Sequence, residues 1–155
     1  MARKARAAST AKRKSKKRTK VISTAKSLPI TTAPKPDHLV DTTKTSRLLF
    51  VIKDEIVGLI GGGRDRCEII IRSGANKSIP DVGESASAIY SKLGGWQVGK
   101  YFTFTRQNHT CYLQKGDVES LWADGSRTEI NIKGRGGSIT ADEDIHIIFG
   151  RMTSP

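Results

Sequence analysis

No Asp or Glu occurs before Asp37, and that absence divides the chain. A stretch that holds cations without anions or an apolar complement cannot bury a core of its own. Cysteine is nearly missing as well. Cys67 and Cys111 form no CxxC pair, which excludes a cysteine zinc site and a disulfide framework and reads as two buried thiols in a reducing compartment. No apolar run approaches the length of a membrane span, and no hydrophobic segment follows the basic N-terminus, so neither insertion nor export is expected. A basic, acid-free organelle transit peptide stays open at this point. His38, His109 and His146 lie far apart without HxxxH spacing, so no metal site is expected. Gly61-Gly62-Gly63-Arg64 lacks the GK[ST] ending of a phosphate-binding P-loop and precedes a strand pattern. A pairing of Cys67 or Cys111 with His109 would have no Asn or Asp to orient the base. The expectation is therefore a non-enzymatic protein with no catalytic residue, no metal and no cofactor.

What the chain does have is charge of one sign in one place. The 155 residues carry 27 Lys and Arg against 15 Asp and Glu, a formal net charge of +12. Ten of the cations, Arg3, Lys4, Arg6, Lys12, Arg13, Lys14, Lys16, Lys17, Arg18 and Lys20, fall in residues 1–20, and Lys26 and Lys35 follow. The remaining 15 face all 15 acids between Asp37 and Pro155. The chain is thus a polycationic arm joined to a formally neutral body, and the partner of such an arm is a polyanion, nucleic acid before others. Counterion release supplies the affinity of such an arm and carries no sequence information. A solubility or localisation tail is the plainer reading of the same residues.

Residues 1–20 are expected to be disordered. Residues 21–46, with Pro29, Pro34 and Pro36 among many Ser and Thr, read as a linker, because each proline removes a donor and holds its predecessor extended. Residues 47–155 read as one β-rich domain, long enough to bury a core. Apolar runs bounded by turn residues predict strands at 48–52, 56–60, 68–72, 101–105, 110–113, 118–122, 127–132 and 145–149. Asp124-Gly125 between two of them is a hairpin signal. One helix is expected over 82–93, with Val82, Ala86, Ile89 and Leu93 on one face, Asp81 as its cap and Gly94-Gly95 at its end.

The polar donors of the neutral body gather in three turns: Arg64 and Arg66 after the triple glycine, Arg106, Asn108 and His109 between two strands, and Lys133 with Arg135 in a glycine-rich loop. Arg and Asn can contact guanine and adenine edges through paired hydrogen bonds, so these loops are candidates to read bases while the arm holds phosphates. Solvated turn residues with no partner are the bland alternative.

The stretch from Phe104 to Leu121 resembles the LytTR DNA-binding domain, whose hallmark strand reads F-x-R-x-H-R-S, then apolar residues, V-N and I-x-x-I. Phe104, Arg106, Thr110, Leu113, Val118 and Leu121 match in identity or type without a gap. Upstream, residues 54–60 resemble the family's D-D-I-x-x-I-E segment, followed by a polar loop, a strand, a Ser-Gly turn and a helix ending in Lys92-Leu93. Downstream, Asp124-Gly125 and Ile130-Asn131-Ile132 resemble its final hairpin. The likeness covers residues 47–138. It departs at Asn108, where the family has His, at Gln114, where it has Asn, and at residues 133–135, which approximate its S-R pair. The resemblance implies a β fold of about ten short strands with one principal helix, whose loops enter successive major grooves. By position, Arg64 or Arg66 would sit on the first contact loop, His109 on the second, and Lys133 or Arg135 on the third.

The expected function is that of a DNA-binding protein, a LytTR-like transcription regulator or nucleoid factor of the cytoplasm. Double-stranded DNA is favoured over RNA, with no membrane partner and self-association left open. The rival is a small viral coat protein of the virion, whose basic arm packages nucleic acid inside a β-rich shell. The body is short for an eight-stranded jelly roll.

Overall fold

The structure, a computed structural model, describes residues 38–155. Those residues begin with the hairpin of β1 (Leu39–Lys44) and β2 (Arg47–Ile52), paired in unbroken register from Leu39 opposite Ile52 to Lys44 opposite Arg47. A 3-10 turn, Lys53–Glu55, leads into β3 (Ile56–Gly63), followed by β4 (Arg66–Ile71), β5 (Lys77–Val82) and α1 (Ala86–Leu93). Then come β6 (Tyr101–Arg106), β7 (His109–Gln114), β8 (Val118–Asp124), β9 (Arg127–Ile132), β10 (Ser138–Ala141) and α2 (Ile145–Thr153). Seven strands form one sheet in the order β2-β1-β5-β4-β3-β7-β6, and β10-β9-β8 form a second. Every strand pair is antiparallel.

The alternation of side chains along a strand explains why the larger sheet is covered on both faces. On one face Ile56, Leu59, Cys67, Ile69, Val82, Tyr101 and Tyr112 pack with Ala86, Ile89 and Leu93 of α1. On the other, Val57, Ile60, Ile70, Phe102, Phe104, Cys111 and Leu113 pack with Ile130, Ile132 and Ile139 of the second sheet and Ile148 of α2. β3 lies between the two cores, and its register shifts between Ile56 and Gly58. That bulge shifts the phase of the alternation, so that Leu59, three residues after Ile56, returns to the α1 side while Val57 and Ile60 face the other core. Gly58 permits the close packing beyond it, since a Cβ there would stand 3.0 Å from Leu113 Cδ1.

The helices start on side-chain caps. Ser85 Oγ accepts from the Ala88 N–H at 3.1 Å, and an Asp144 carboxylate oxygen accepts from the His146 N–H at 2.8 Å. Each satisfies a donor that a helix N-terminus leaves without an intrahelical partner. Gly94, at φ 58, ends α1. His38, just before β1, stands edge-on to Trp96 with ring centroids 4.8 Å apart.

The mainly β expectation holds, with ten strands among the described residues. Four details differ, the first being β5, which falls where no strand was expected. Residues 145–149 form the first turns of α2 instead of a strand, because the Asp144 cap and the burial of Ile148 against the second core outweigh the β-branched composition. A second helix therefore accompanies the one expected. Helix α1 starts at Ala86, and Val82 belongs to β5, bridging Lys44 and Cys67, while Asp81 sits at φ 57 and caps nothing. Finally, β1 lies inside the segment read as linker, so the described part of that segment contributes a strand to the larger sheet. The arm of residues 1–20 and linker residues 21–37 lie outside the described residues.

Candidate nucleic-acid interface

Two of the three basic turns lie at the same end of the larger sheet. β3 and β7 run antiparallel with Leu59 opposite Tyr112, which brings the turn after β3 and the turn before β7 to one edge. The β6–β7 connection is a two-residue hairpin in which Gln107 (φ 50) and Asn108 (φ 61) both take left-handed backbone, while Arg106 pairs with His109. Asn tolerates that conformation better than most residues, and positive φ at both central positions matches the twist of the flanking strands. The glycines of β3 let the hairpin settle against it. Arg66 and Arg106 line a single depression of about 160 Å³ with Gly62, Glu68 and Asp81. Arg64 is exposed on the turn between β3 and β4.

The third loop is rooted at the opposite end. The Lys133 ammonium donates to the Gly116 carbonyl at 2.8 Å, the Lys133 carbonyl accepts from Asn76 Nδ2, and Gly134 lies 3.7 Å, as measured from a Cβ built on it, from the Asn76 nitrogen. The Arg135 guanidinium turns back onto the sheet and donates to the Glu68 carboxylate at 3.0 Å. Its side chain is 20% exposed and that of Glu68 24%. The Lys133 ammonium is thus held away from the β6–β7 hairpin, while the Arg135 guanidinium reaches the same Glu68 that lines the Arg66–Arg106 depression.

A feature missed in the sequence lies beside the hairpin. Residues 142–144 run along the free edge of β6: the Asp142 N–H donates to the Thr105 carbonyl at 2.7 Å, and Glu143 accepts from the Thr105 N–H at 2.8 Å. Asp142 also accepts from the Asn108 N–H at 3.3 Å. Arg151 donates to the Thr103 carbonyl at 3.0 Å and to Glu143 at 2.8 Å. The run Asp-Glu-Asp in the sequence was the available signal. Its carboxylates tie down the hairpin backbone and place negative charge next to Arg106, so the hairpin presents a mixed field instead of a purely cationic one.

Both cysteines are buried. Burial, with negative charge from Glu84 next in importance, pushes the Cys67 thiol up to about 12. Burial pushes Cys111 up to about 11, against the Gly61 N–H, which donates to its sulfur at 3.3 Å. Burial also raises the Tyr101 phenol to about 12, opposed by its hydrogen bond from Gln114. Among the described residues no group of three or more His, Cys, Asp and Glu is arranged to hold a metal ion, and no helix is long and apolar enough to cross a membrane.

No protein-family model matches the chain, and no curated protein matches it. Among solved structures the chain is similar to a LytTr DNA-binding domain from Bacillus cereus, with 9% sequence identity and a TM-score of 0.49, over 76% of this chain and 98% of that one.

Proposed function

We propose that this chain is a DNA-binding regulator whose cationic N-terminal segment grips phosphates and whose body selects the site. The observation that carries this reading is the segregation of charge: 12 Lys and Arg precede the first acid at Asp37, and the rest of the chain is formally neutral. A segment of that composition binds a polyanion through counterion release, and its affinity falls steeply with salt. A neutral body cannot compete with it for phosphates, so the body contributes through directed contacts. The surface offered for them is the end of the larger sheet that carries Arg64, Arg66, Arg106, Asn108 and His109. Paired hydrogen bonds from Arg to guanine and from Asn to adenine would give it sequence preference in the major groove. Lys133 and Arg135 enter the reading differently, since both cationic groups are engaged within the fold. A cytoplasmic, nucleoid-facing protein follows from the same reading.

Selection from random duplex DNA with residues 37–155, compared with the full chain, tests this. The reading expects one enriched motif for both proteins and weaker binding without the arm. Absence of any enriched motif would leave a non-specific phosphate binder and remove the regulator.

A further inference from the structure

Among the described residues the two sheets end in four edge strands, and three of them carry a device that blocks further pairing. The β6 edge is covered by Asp142, Glu143 and Arg151, which occupy the Thr105 N–H and the Thr103 and Thr105 carbonyls. The β10 edge is four residues long. The β8 edge has a register shift between Val118 and Ser120 and carries Glu119 and Asp124. β2 has none of these. Its six residues, Arg-Leu-Leu-Phe-Val-Ile, pair with β1 without a bulge and contain no proline and no charge inside the strand. Soluble proteins ordinarily blunt such an edge, because its row of unpaired N–H and C=O groups is a template for another strand.

The outward face of the same strand is apolar. Leu48, Phe50 and Ile52 alternate along it and remain 65%, 57% and 42% exposed. Leu49 and Val51 point the other way, into the α1-side core. A groove of about 600 Å³ opens beside Phe50 and Ile52, with Ile71 and Ile79 on its other wall. Exposed apolar surface of this kind, gathered in one stripe and not scattered singly, marks an interaction site.

We propose that β2 pairs antiparallel with β2 of a second copy of this chain. The strand is close to palindromic about Phe50, so a two-fold axis there sets Phe50 against the partner's Phe50 and Leu48 against the partner's Ile52. A self-complementary patch is what an isologous interface requires. Lys44 and Arg47 stand at the hairpin end of the strand, and Lys53, Asp54 and Glu55 follow its other end. With the axis at Phe50, Arg47 falls opposite the partner's Lys53, which confines the pairing to the apolar residues 48–52. Asp54 and Glu55 just beyond leave that end net negative against the cationic end of the other copy, whereas parallel pairing would oppose like ends. A phosphate backbone does not fit the same surface, because the stripe is apolar and one end is acidic. The stripe is smaller than the roughly 800 Å² per partner of a stable standard interface, so the dimer is concentration-dependent and gains from the backbone hydrogen bonds of the joined edge. One consequence is two cationic arms on one particle.

Sedimentation of the full chain, freed of nucleic acid by nuclease and high salt, tests the proposal across the micromolar range. The wild type should shift from monomer to dimer as concentration rises. Phe50→Lys should remain monomeric with an unchanged melting temperature, while Trp122→Lys, on the β8 edge, should dimerise like the wild type. Should Phe50→Lys fail to fold, Leu48→Glu takes its place with the same expectation. Phe50→Cys should form an intermolecular disulfide under mild oxidation. A full chain that stays monomeric overturns the proposal, whether its own N-terminal segment or nothing covers the edge. So does a dimer that survives Phe50→Lys or Leu48→Glu, or one that Trp122→Lys abolishes.

Discussion

Gly61 lies so close to His109 that a Cβ built on it would stand 2.6 Å from the His109 Cβ and 3.1 Å from the Thr110 carbonyl oxygen. The hairpin that carries Arg106, Asn108 and His109 is thus seated directly on bare backbone. Gly61→Ala should force the β7 strand away and cost about 1 to 3 kcal/mol, the usual range for overpacking. Gly62 meets nothing within 4 Å and lies outside the left-handed region, so Gly62→Ala should be neutral or slightly stabilising. Thermal melting of the two variants side by side checks the contrast, and equal losses would contradict this account of the seat.

The Arg135–Glu68 ion pair predicts a stability effect where a purely base-reading arginine would give none. Both side chains are largely shielded, which places the pair between exposed bridges and buried ones, and Arg135→Ala should cost about 1 to 3 kcal/mol. Glu68 keeps a hydrogen bond from Ser78 in that variant. A double-mutant cycle with Glu68→Gln should show the two losses to be non-additive. An Arg135→Ala protein that melts like the wild type would free this side chain for a direct role with DNA.

The thiols and one phenol make the fold sensitive to alkali. Cys67, Cys111 and Tyr101 all have pKa values raised by folding, from 9.0 to about 12, from 9.0 to about 11 and from 10.0 to about 12. A raised acid group holds its proton more tightly in the folded state, so its contribution is intact below the unfolded pKa and is lost as pH climbs toward the folded one. Stability should accordingly be level near neutrality and decline from about pH 9 to pH 12. Denaturant unfolding across that range measures the decline. At neutral pH neither thiol should react with iodoacetamide until the protein is unfolded, which mass analysis after alkylation would read directly.

Salt separates the arm from the body. If about eight arm cations meet phosphates, the full chain should lose duplex affinity with a log–log slope near −7, and residues 37–155 should lack most of that slope. Binding isotherms at several salt concentrations would test it, and equal slopes for the two proteins would mean that the body holds the phosphates.

How far the sequence disclosed this fold depended on whether local signals and packing agreed. β6 and β7 were legible because Phe102, Phe104, Cys111 and Leu113 alternate with less buried neighbours around a short polar turn. β5 was hidden by Pro80, which normally argues against a strand and is tolerated here at the irregularity between Ile69 opposite Ile79 and Cys67 opposite Val82. β1 was hidden by its composition, Leu-Val-Asp-Thr-Thr-Lys, in which buried Val40 and Thr42 look no different from linker residues. At residues 145–149 a short apolar run suits either strand or helix, and only the second core decides between them. The candidate site was legible as residue types and illegible as geometry. Nothing in the spacing of Arg64, Arg106 and Arg135 reveals that the first two share an end of the sheet while the third is held by Glu68.

The position of β3 also governs how the molecule comes apart. Ile56 and Leu59 belong to one core, and Val57 and Ile60 to the other, so neither core can be dismantled while the other keeps this strand in place. Unfolding of residues 38–155 is therefore expected as one cooperative event with no half-folded stage, and amide protons along β3 should exchange with solvent only through the global opening.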